Sequence, residues 1–297
     1  MLKLAETFNI NNNKNISKKE ILDLVKKYVR EHGPTLYAKK NTAPVSGKVV
    51  GEEEAANLVE ASLDLWLTAG KFNKKFEKEM ARLLNIRYFL SCNSGSSANL
   101  LAISALCSEQ LGDKRLKEGD EVITCATGFP TTVNPIIQNR LIPVFIDASI
   151  PSYNIKSSAI KKAISKRTKA IMIAHALGNP FDLEKIKKIA DDNNLFLIED
   201  CCDALGSKYN NKNVGTFGDV ATLSFYPAHH ITTGEGGMVS FKLNKFAERA
   251  KILRDHGMDP NRKYWHEIIG YNLRITNIQS AIGVAQMERL DSIIESK

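Results

Sequence analysis

The stretch KAIMIAHALGNPFDLEKIKKIADDNNLFLIED, residues 169–200, contains two short apolar runs with an amphipathic segment between them. The runs KAIMIAH and LFLIED have the length and composition of buried strands, and the segment between them is typical of a surface helix. Strands that are this short and apolar, and that are separated by helices, favour a parallel sheet covered on both faces.

The same alternation extends along the chain in both directions. Further apolar runs occur at residues 88–92, 121–125, 142–147 and 220–225, and helical patterns occur at residues 52–67, 71–84 and 276–294. We therefore predict an α/β fold with a mostly parallel sheet between helices. Residues 1–50 are predicted to form an N-terminal extension with one helix, which starts with a capping box of Ser17 and Glu20. Residues 51–297 are predicted to form the main domain.

The composition excludes several classes of protein. A hydrophobic fraction of 43% and a charged fraction of 25% over 297 residues are those of a soluble globular chain, not of a disordered one. No apolar run reaches membrane-spanning length, and the first residues lack the apolar core of a signal peptide. Five cysteines without framework spacing indicate a reduced chain, so we expect a cytoplasmic protein.

The net charge of +8, from 41 basic and 33 acidic residues, is modest. Much of the excess lies between Asp147 and Asp182, and we interpret it as a solvated helix face. Nucleic-acid binding would call for interleaved aromatic residues or a recognisable motif, and this stretch contains only Tyr153. We therefore expect no nucleic-acid partner.

The residues that follow the first predicted strand favour an anion site. Ligands of open α/β sheets bind at the carboxyl ends of the strands. After residues 88–92 come Gly95, Ser96 and Ser97, at the start of the next helix. Free N–H groups and the helix dipole attract a phosphate at such a position, although an ordinary serine-rich helix cap would have the same sequence.

Two further strand ends carry polar residues. Glu199 and Asp200 end the run LFLIED, where a carboxylate needs a cation such as a protonated pyridine nitrogen, unless it only caps a loop. Ser224 ends the run VATLSF and is followed by adjacent histidines at positions 229 and 230. Neighbouring histidines usually point in different directions and no third ligand accompanies them, so we expect no metal site.

Taken in order, these motifs resemble the sugar-nucleotide aminotransferases, which are fold-type-I enzymes that use pyridoxal 5′-phosphate. The motifs are SGSSA (94–98), GDEVIT (119–124), HALG (175–178), ED (199–200), SFYP (224–227), GEGG (234–237) and GYNLR (270–274). The resemblance implies that the cofactor-binding residues are Gly95, Ser96, Ser97, Phe129, Asp200, Asp203, Ser224 and Asn272. Among these, Ser96, Ser97 and Ser224 would bind the cofactor phosphate, Phe129 would stack on the pyridine ring and Asp200 would pair with the pyridine nitrogen. Asn272 would reach the cofactor of a neighbouring subunit, so the resemblance also implies a homodimer.

One departure from the family concerns the catalytic position. Aminotransferases of this family carry a lysine in the motif SFxPxK, which binds the cofactor covalently, whereas this chain has His229 there. The resemblance then implies a cofactor held non-covalently, as pyridoxamine 5′-phosphate. The full string SFYPAHHITTGEGG is similar to the CDP-4-keto-6-deoxyglucose 3-dehydrases of lipopolysaccharide and O-antigen biosynthesis. In that group the enzyme removes the C3 hydroxyl of a nucleotide-linked 4-keto-6-deoxyhexose, and His229 would transfer the proton.

Other departures limit this resemblance. CDP-sugar 3-dehydrases bind an iron–sulfur cluster through four cysteines, of which only Cys202 has a counterpart here. We therefore expect no intact 2Fe–2S cluster and no route for electrons from a partner reductase. Family members also continue past the helix at residues 276–294 into a small C-terminal domain, which we expect to be truncated. An active aminotransferase and a non-catalytic regulatory member of the family are the alternatives.

Overall fold

The computed structural model describes residues 16–33 and 49–296, and its central feature is a seven-stranded sheet. The strands of this sheet are β1 (Tyr88–Cys92), β2 (Glu121–Cys125), β3 (Ile142–Ile146), β4 (Thr168–Ala174), β5 (Phe196–Asp200), β8 (Val220–Ser224) and β9 (Gly237–Phe241). Two short strands, β6 (Lys208–Tyr209) and β7 (Lys212–Asn213), form a separate hairpin. Six of the seven main strands coincide, within a residue at either end, with the apolar runs identified in the sequence.

The strand order of the main sheet is β1-β9-β8-β5-β4-β2-β3. Strands β3, β2, β4, β5 and β8 pair in parallel, which confirms the predicted sheet type. Strand β9, for which the sequence analysis gave no prediction, lies antiparallel between β1 and β8. Strand β9 therefore begins next to the carboxyl end of β8, where Gly237 pairs with Ser224.

Ten α-helices are described in residues 16–33 and 49–296. They are α1 (Lys18–His32), α2 (Glu52–Leu63), α3 (Lys71–Leu84), α4 (Gly95–Leu106), α5 (Pro130–Gln138), α6 (Ser157–Ala163), α7 (Leu183–Asp192), α8 (Asn244–Arg254), α9 (Asn277–Glu288) and α10 (Leu290–Glu295). Two boundaries differ from the prediction. Helix α2 stops before Leu65, whose φ of 55° lies in the left-handed region, and the C-terminal helix is interrupted at Arg289.

The helices cover both faces of the sheet, as predicted. Alternate residues of β4 show this directly, because Ile171 and Ile173 belong to one apolar cluster and Ala170 and Met172 to the other. The first cluster contains side chains of α3, α6, α7, α9 and α10, and the second contains side chains of α4, α5 and α8. No helix in the described ranges combines the length and apolar character needed to cross a bilayer.

Helix α1 confirms the predicted capping box at its start. The Ser17 hydroxyl accepts a hydrogen bond from the N–H of Glu20, and the Glu20 carboxylate accepts one from the N–H of Ser17. The helix buries no residue and contacts α2 through ion pairs such as Lys26–Glu53 and Arg30–Glu52. Residues 1–15 and 34–48 of the predicted extension, and Lys297, lie outside the described residues, so the proposed domain boundary stays a prediction.

Candidate active site

A cavity of about 980 Å³ opens at the carboxyl ends of four parallel strands. The last residue of each strand lines it, namely Cys125 of β2, Ala174 of β4, Asp200 of β5 and Ser224 of β8. Such an edge is where open α/β sheets bind ligands. The edge of the sheet at which the sequence predicts the functional site therefore contains a cavity.

The N-terminus of helix α4 forms one side of this cavity. Ser94 caps the helix, and its hydroxyl accepts a hydrogen bond of 3.0 Å from the N–H of Ser97. Gly95 and Ser96 line the cavity, and the first N–H groups of a helix have no partner within it. A Cβ on Gly95 would lie 2.5 Å from Cβ of Ser224. Glycine thus allows the Ser224 hydroxyl to lie close to the helix N-terminus, which creates a favourable place for an anion.

The carboxylate of Asp200 is almost fully buried, with 4% of the residue exposed, and it lines the cavity. Its Oδ2 accepts hydrogen bonds from the Thr132 hydroxyl at 2.7 Å and from the Asn99 amide at 3.0 Å. Its Oδ1 accepts one from the N–H of Cys202 at 3.1 Å. The hydroxyl of Thr222 in turn donates to Oδ1 of Asn99 at 2.6 Å. A buried carboxylate is stabilised by donors of this kind, so Asp200 is held as a hydrogen-bond acceptor.

His229 and Asp203 lie together on another side of the cavity. Nδ1 of His229 is 3.0 Å from Oδ1 of Asp203, and the side chains are 18% and 53% exposed. The hydrogen bond from His229 lowers the pKa of the Asp203 carboxyl below its ordinary value. Asp203 was predicted to be a cofactor-binding residue, and the structure gives it the imidazole of His229 as a direct partner.

The loop that carries His229 is attached to helix α9 by two glutamines. The side chain of Gln286 accepts a hydrogen bond from the N–H of Thr232, and the side chain of Gln279 donates to the carbonyl of Glu235 at 2.9 Å. Within the loop, the N–H of His229 donates to the carbonyl of Tyr226 at 3.0 Å. These bonds fix the backbone on which the imidazole is placed.

Phe129 provides an exposed aromatic surface in the cavity. It occupies the N-cap position of helix α5, just after strand β2, and 68% of the residue is exposed although it is fully apolar. An apolar side chain so exposed in a concave site is suited to contact a ligand ring. Thr132 lies one turn further along the same helix, so the orientation of α5 is coupled to the Asp200 carboxylate.

The structure brings most of the predicted residues to one cavity. Those that line it are Gly95, Ser96, Phe129, Asp200, Asp203, Ser224 and His229. Ser97 does not line it, because its hydroxyl donates to the Asn93 side chain at 2.6 Å. Asn272 is exposed outside the cavity, where it pairs with the backbone of Asp255. The roles of Ser97 in phosphate binding and of Asn272 across a dimer stay predictions.

A second polar cluster, whose members do not line the cavity, holds a loop in place. Glu199 accepts hydrogen bonds from the N–H groups of residues 215, 217 and 218 and lies 3.1 Å from Nε2 of His175. Cys201 lies close enough to complete a group with the spacing of metal ligands. The Glu199 oxygens are nevertheless occupied by backbone donors, and burial raises the pKa of the Cys201 thiol well above its ordinary value. The cluster therefore fits an anchor for this loop.

The cysteine thiols of the described residues are mostly in apolar surroundings. Burial raises the pKa of Cys92 and of Cys107 to about 12. Burial, and after it the charge of Asp200, raises the pKa of Cys202 well above its ordinary value, although Cys202 lines the cavity.

Two residues of the site escaped the sequence analysis. Asn99 and Thr222 are buried, Asn99 donates to Asp200 and Thr222 donates to Asn99, and neither was identified as functional. Thr132 also supports Asp200, because its hydroxyl donates to Oδ2 of the carboxylate. A signal was present, because Asn99 is a polar residue on an otherwise apolar, buried helix, and a buried amide needs partners.

The donor set in the cavity fits pyridoxal 5′-phosphate. The N-terminus of α4 with Ser96 and Ser224 suits its phosphate, the exposed ring of Phe129 suits its pyridine, and the buried carboxylate of Asp200 suits a protonated ring nitrogen. Because Gly95 has no Cβ, the space between helix α4 and Ser224 stays open. These are the features that the cofactor's three functional parts require.

Comparisons with known proteins agree with this fit. The family model described as the DegT/DnrJ/EryC1/StrS aminotransferase family matches residues 49–297. The lipopolysaccharide biosynthesis protein RfbH of Salmonella typhimurium is 48% identical over 94% of this chain and 70% of its own length. The dTDP-4-dehydro-2,6-dideoxy-D-glucose 3-dehydratase of Saccharopolyspora spinosa is 44% identical over 93% of this chain and 65% of its own length. The chain thus spans about two thirds of these relatives.

A solved structure supports the fold assignment. The Escherichia coli GDP-4-keto-6-deoxy-D-mannose-3-dehydratase with bound hydrated PLP superimposes with a TM-score of 0.80 at 31% identity, over 84% of this chain and 68% of the other. The predicted fold of a pyridoxal-phosphate-dependent aminotransferase is therefore confirmed. With a family model that matches from residue 49 to the end, this chain belongs to the DegT/DnrJ/EryC1/StrS aminotransferase family.

Proposed function

We propose that this chain belongs to a pyridoxamine-phosphate-dependent enzyme that eliminates the C3 hydroxyl of a nucleotide-linked 4-keto-6-deoxyhexose. The observation that carries the proposal is the His229–Asp203 pair on the cavity, at the position where the aminotransferase motif has lysine. Of the described residues that line the cavity, none is a lysine. A transaminating enzyme of this family needs an amine there to bind the cofactor covalently, so elimination is the chemistry that this site favours.

The cofactor would be held by non-covalent contacts. Gly95, Ser96 and Ser224 would bind its phosphate, Phe129 would contact its ring and Asp200 would accept a hydrogen bond from the ring nitrogen. When bound, pyridoxamine phosphate supplies an amine for the sugar ketone and a conjugated ring that accepts electrons. The protein supplies the position of these groups and the transfer of protons.

His229 would transfer the proton through Nε2. Because Nδ1 lies at hydrogen-bond distance from the Asp203 carboxylate, the neutral imidazole carries its proton on Nδ1 and its basic lone pair on Nε2. When Nε2 takes up a proton, the imidazolium lies beside a carboxylate of lowered pKa, which stabilises the positive charge. A base that is oriented by a third group is the arrangement found in many proton-transfer sites.

The substrate that we propose is a CDP-linked sugar of lipopolysaccharide O-antigen biosynthesis. The sequence motifs around His229 support this choice, and the relatives include a lipopolysaccharide biosynthesis protein and a dTDP-sugar 3-dehydratase. We further propose that the enzyme is a homodimer, in which the exposed Asn272 contacts the site of the partner. Of the four cysteines that would bind a 2Fe–2S cluster, only Cys202 has a counterpart here. We therefore propose that the enzyme works without this cluster.

Product analysis tests the proposed reaction. Purified protein loaded with pyridoxamine phosphate is incubated with the CDP, dTDP and GDP forms of a 4-keto-6-deoxyhexose, and the products are identified by mass spectrometry. We expect loss of the C3 oxygen, fastest with the CDP form. His229→Asn, which keeps a polar side chain but no base, should retain cofactor binding and lose the reaction.

Two results would contradict the proposal in different ways. A 4-amino sugar with its C3 hydroxyl intact would identify an aminotransferase. Tight cofactor binding without turnover of any nucleotide sugar would favour a regulatory member of the family.

A further inference from the structure

We infer that Asn99 and Thr222 are positioning residues of the cofactor site, in which the Thr222 hydroxyl fixes the Asn99 amide so that its N–H holds Asp200 toward the cofactor's ring nitrogen. This inference rests on the proposed function only in that the chain binds a pyridoxal-type cofactor. It does not depend on the nucleotide sugar or on the reaction.

The direction of each hydrogen bond follows from the partners. The Asp200 carboxylate accepts from the Thr132 hydroxyl and from the N–H of Cys202, so the Asn99 group that faces it must be the NH₂. The Asn99 oxygen then faces Thr222, whose hydroxyl donates at 2.6 Å. A single orientation of the amide satisfies both partners.

The alternative orientation of the amide would be costly. If Asn99 rotated by half a turn, its oxygen would face the Asp200 carboxylate and its NH₂ would face Thr222. Asn99 and Thr222 are 1% and 0% exposed, so water cannot reach this part of the site to compensate. In such surroundings an opposed pair of acceptors is expensive, so Asp200 selects the orientation of the amide. The Thr222 hydroxyl then holds the amide in that position by donating to its oxygen.

The same chain of bonds connects the elements that form the cofactor site. Asn99 lies on helix α4, one turn after the anion site at Gly95 and Ser96, and Thr222 lies on β8, two residues before Ser224. Both residues act through one carboxylate at the end of β5. The network therefore sets the distance between the place for the phosphate and the place for the ring nitrogen.

A set of threonine variants tests the inference. Thr222→Val removes the hydroxyl at nearly constant volume, Thr222→Ser keeps the hydroxyl, and Asn99→Leu removes the amide. The full chain is titrated with pyridoxamine phosphate that is isotopically labelled at the ring nitrogen, and both the dissociation constant and the nitrogen chemical shift are measured. We expect Thr222→Val to weaken binding about tenfold, Asn99→Leu to weaken it more, and both to shift the ring-nitrogen signal toward the unprotonated form.

Thr168→Val is the matched control. Thr168 is a buried threonine that also donates to a carboxylate, that of Glu121, but it lies at the start of β4, at the opposite edge of the sheet. We expect this variant and Thr222→Ser to bind the cofactor with the wild-type affinity and chemical shift. A merely structural role for Thr222 would lower the thermal stability of both valine variants and leave the nitrogen signal unchanged.

The outcomes separate this inference from the proposed function. Wild-type affinity and an unchanged ring-nitrogen signal in Thr222→Val and Asn99→Leu would overturn the inference alone. Weakened binding and a shifted ring-nitrogen signal in the two variants, together with no sugar elimination by the wild type, would overturn only the proposed function. A wild-type chain that binds no pyridoxamine phosphate would overturn both.

Discussion

Nδ1 of His229 lies 3.0 Å from Oδ1 of Asp203, and the two residues come from loops that follow different strands of the sheet. The pair lines the same cavity as the buried carboxylate of Asp200, the N-terminus of helix α4 and the exposed ring of Phe129. An imidazole at hydrogen-bond distance from a carboxylate therefore occupies the position at which the resemblance places lysine in aminotransferases.

Replacement of the orienting carboxylate tests the pair. Asp203→Asn removes the charge that stabilises the imidazolium, and we expect kcat for sugar elimination to fall about 10- to 100-fold. The cofactor dissociation constant should change little, because Asp203 acts through His229. Asp192→Asn, at an exposed position on helix α7, is the control and should leave both quantities unchanged. A large loss of cofactor affinity with normal kcat would instead make Asp203 a cofactor-binding residue, as the sequence resemblance implied.

Replacement of the imidazole by an amine tests the basis of non-covalent binding. We expect His229→Lys to form a linkage with pyridoxal phosphate that borohydride reduces. This variant should lose sugar elimination, because the lysine nitrogen is then bound to the cofactor and cannot act as the base. The wild type treated in the same way should show no reducible linkage by intact-protein mass spectrometry. A stoichiometric reducible linkage at a lysine of the wild type would contradict the proposed non-covalent binding.

The pH dependence of stability should report the same pair. His229 lowers the pKa of the Asp203 carboxyl, so the folded protein binds this proton less readily than the unfolded chain does. The stabilising contribution is complete above the ordinary aspartate pKa of about 4 and is lost as the pH falls through the lowered value. We expect the melting-temperature difference between wild type and Asp203→Asn to shrink as the pH falls below about 4. A difference that grows as the pH falls would be inconsistent with the pair.

The approach of Ser224 to helix α4 predicts the effect of a methyl group. In Gly95→Ala the added Cβ would lie 2.5 Å from Cβ of Ser224 and 2.9 Å from its hydroxyl oxygen, so the two elements must separate. We expect the affinity for pyridoxamine phosphate, measured by fluorescence titration, to fall at least about tenfold. Gly51→Ala is the control, because its nearest neighbours lie 3.8 Å from the added atom. Equal affinities in the two variants would place the phosphate elsewhere.

The buried carboxylate of Glu199 should matter for stability rather than for chemistry. Glu199→Gln places an amide group against the backbone N–H groups of residues 215, 217 and 218, and we expect the free energy of unfolding to fall by about 2–4 kcal/mol. Urea denaturation measures this change. Glu184→Gln, at an exposed position of helix α7, should change it by less than about 0.5 kcal/mol. A loss of activity without a loss of stability would contradict the anchoring role.

The sequence predicted the parallel part of the sheet because buried parallel strands are short, apolar and separated by helices. Strand β9 was missed because Gly237–Phe241 is a short run behind a glycine-rich turn, and its antiparallel place between β1 and β8 depends on long-range pairing. Helix α2 was predicted too long, because the apolar pattern continues through Leu65 although its left-handed backbone ends the helix.

The position of a site residue was predictable where the residue directly follows a strand. It was less predictable where the site depends on contacts between residues that are distant in the sequence. Asp200 and Ser224 end strands at the ligand edge, so their position followed from topology. The partnership of Asp203 with His229, and that of Asn99 with Thr222, joins distant segments, and local sequence patterns carry little information on such contacts. The sequence showed the residue types of the site, and the fold showed which of them work together.

The most direct measurement of the central claim is a single-turnover experiment on protein loaded with pyridoxamine phosphate and mixed with a CDP-linked 4-keto-6-deoxyhexose. Mass spectrometry follows the loss of the C3 oxygen in the wild type and in His229→Asn, with cofactor occupancy matched in both samples. We predict that the wild type loses the oxygen and that the variant does so at least about 100-fold more slowly. Equal rates in the two proteins, or an amino sugar as the product of the wild type, would contradict the account.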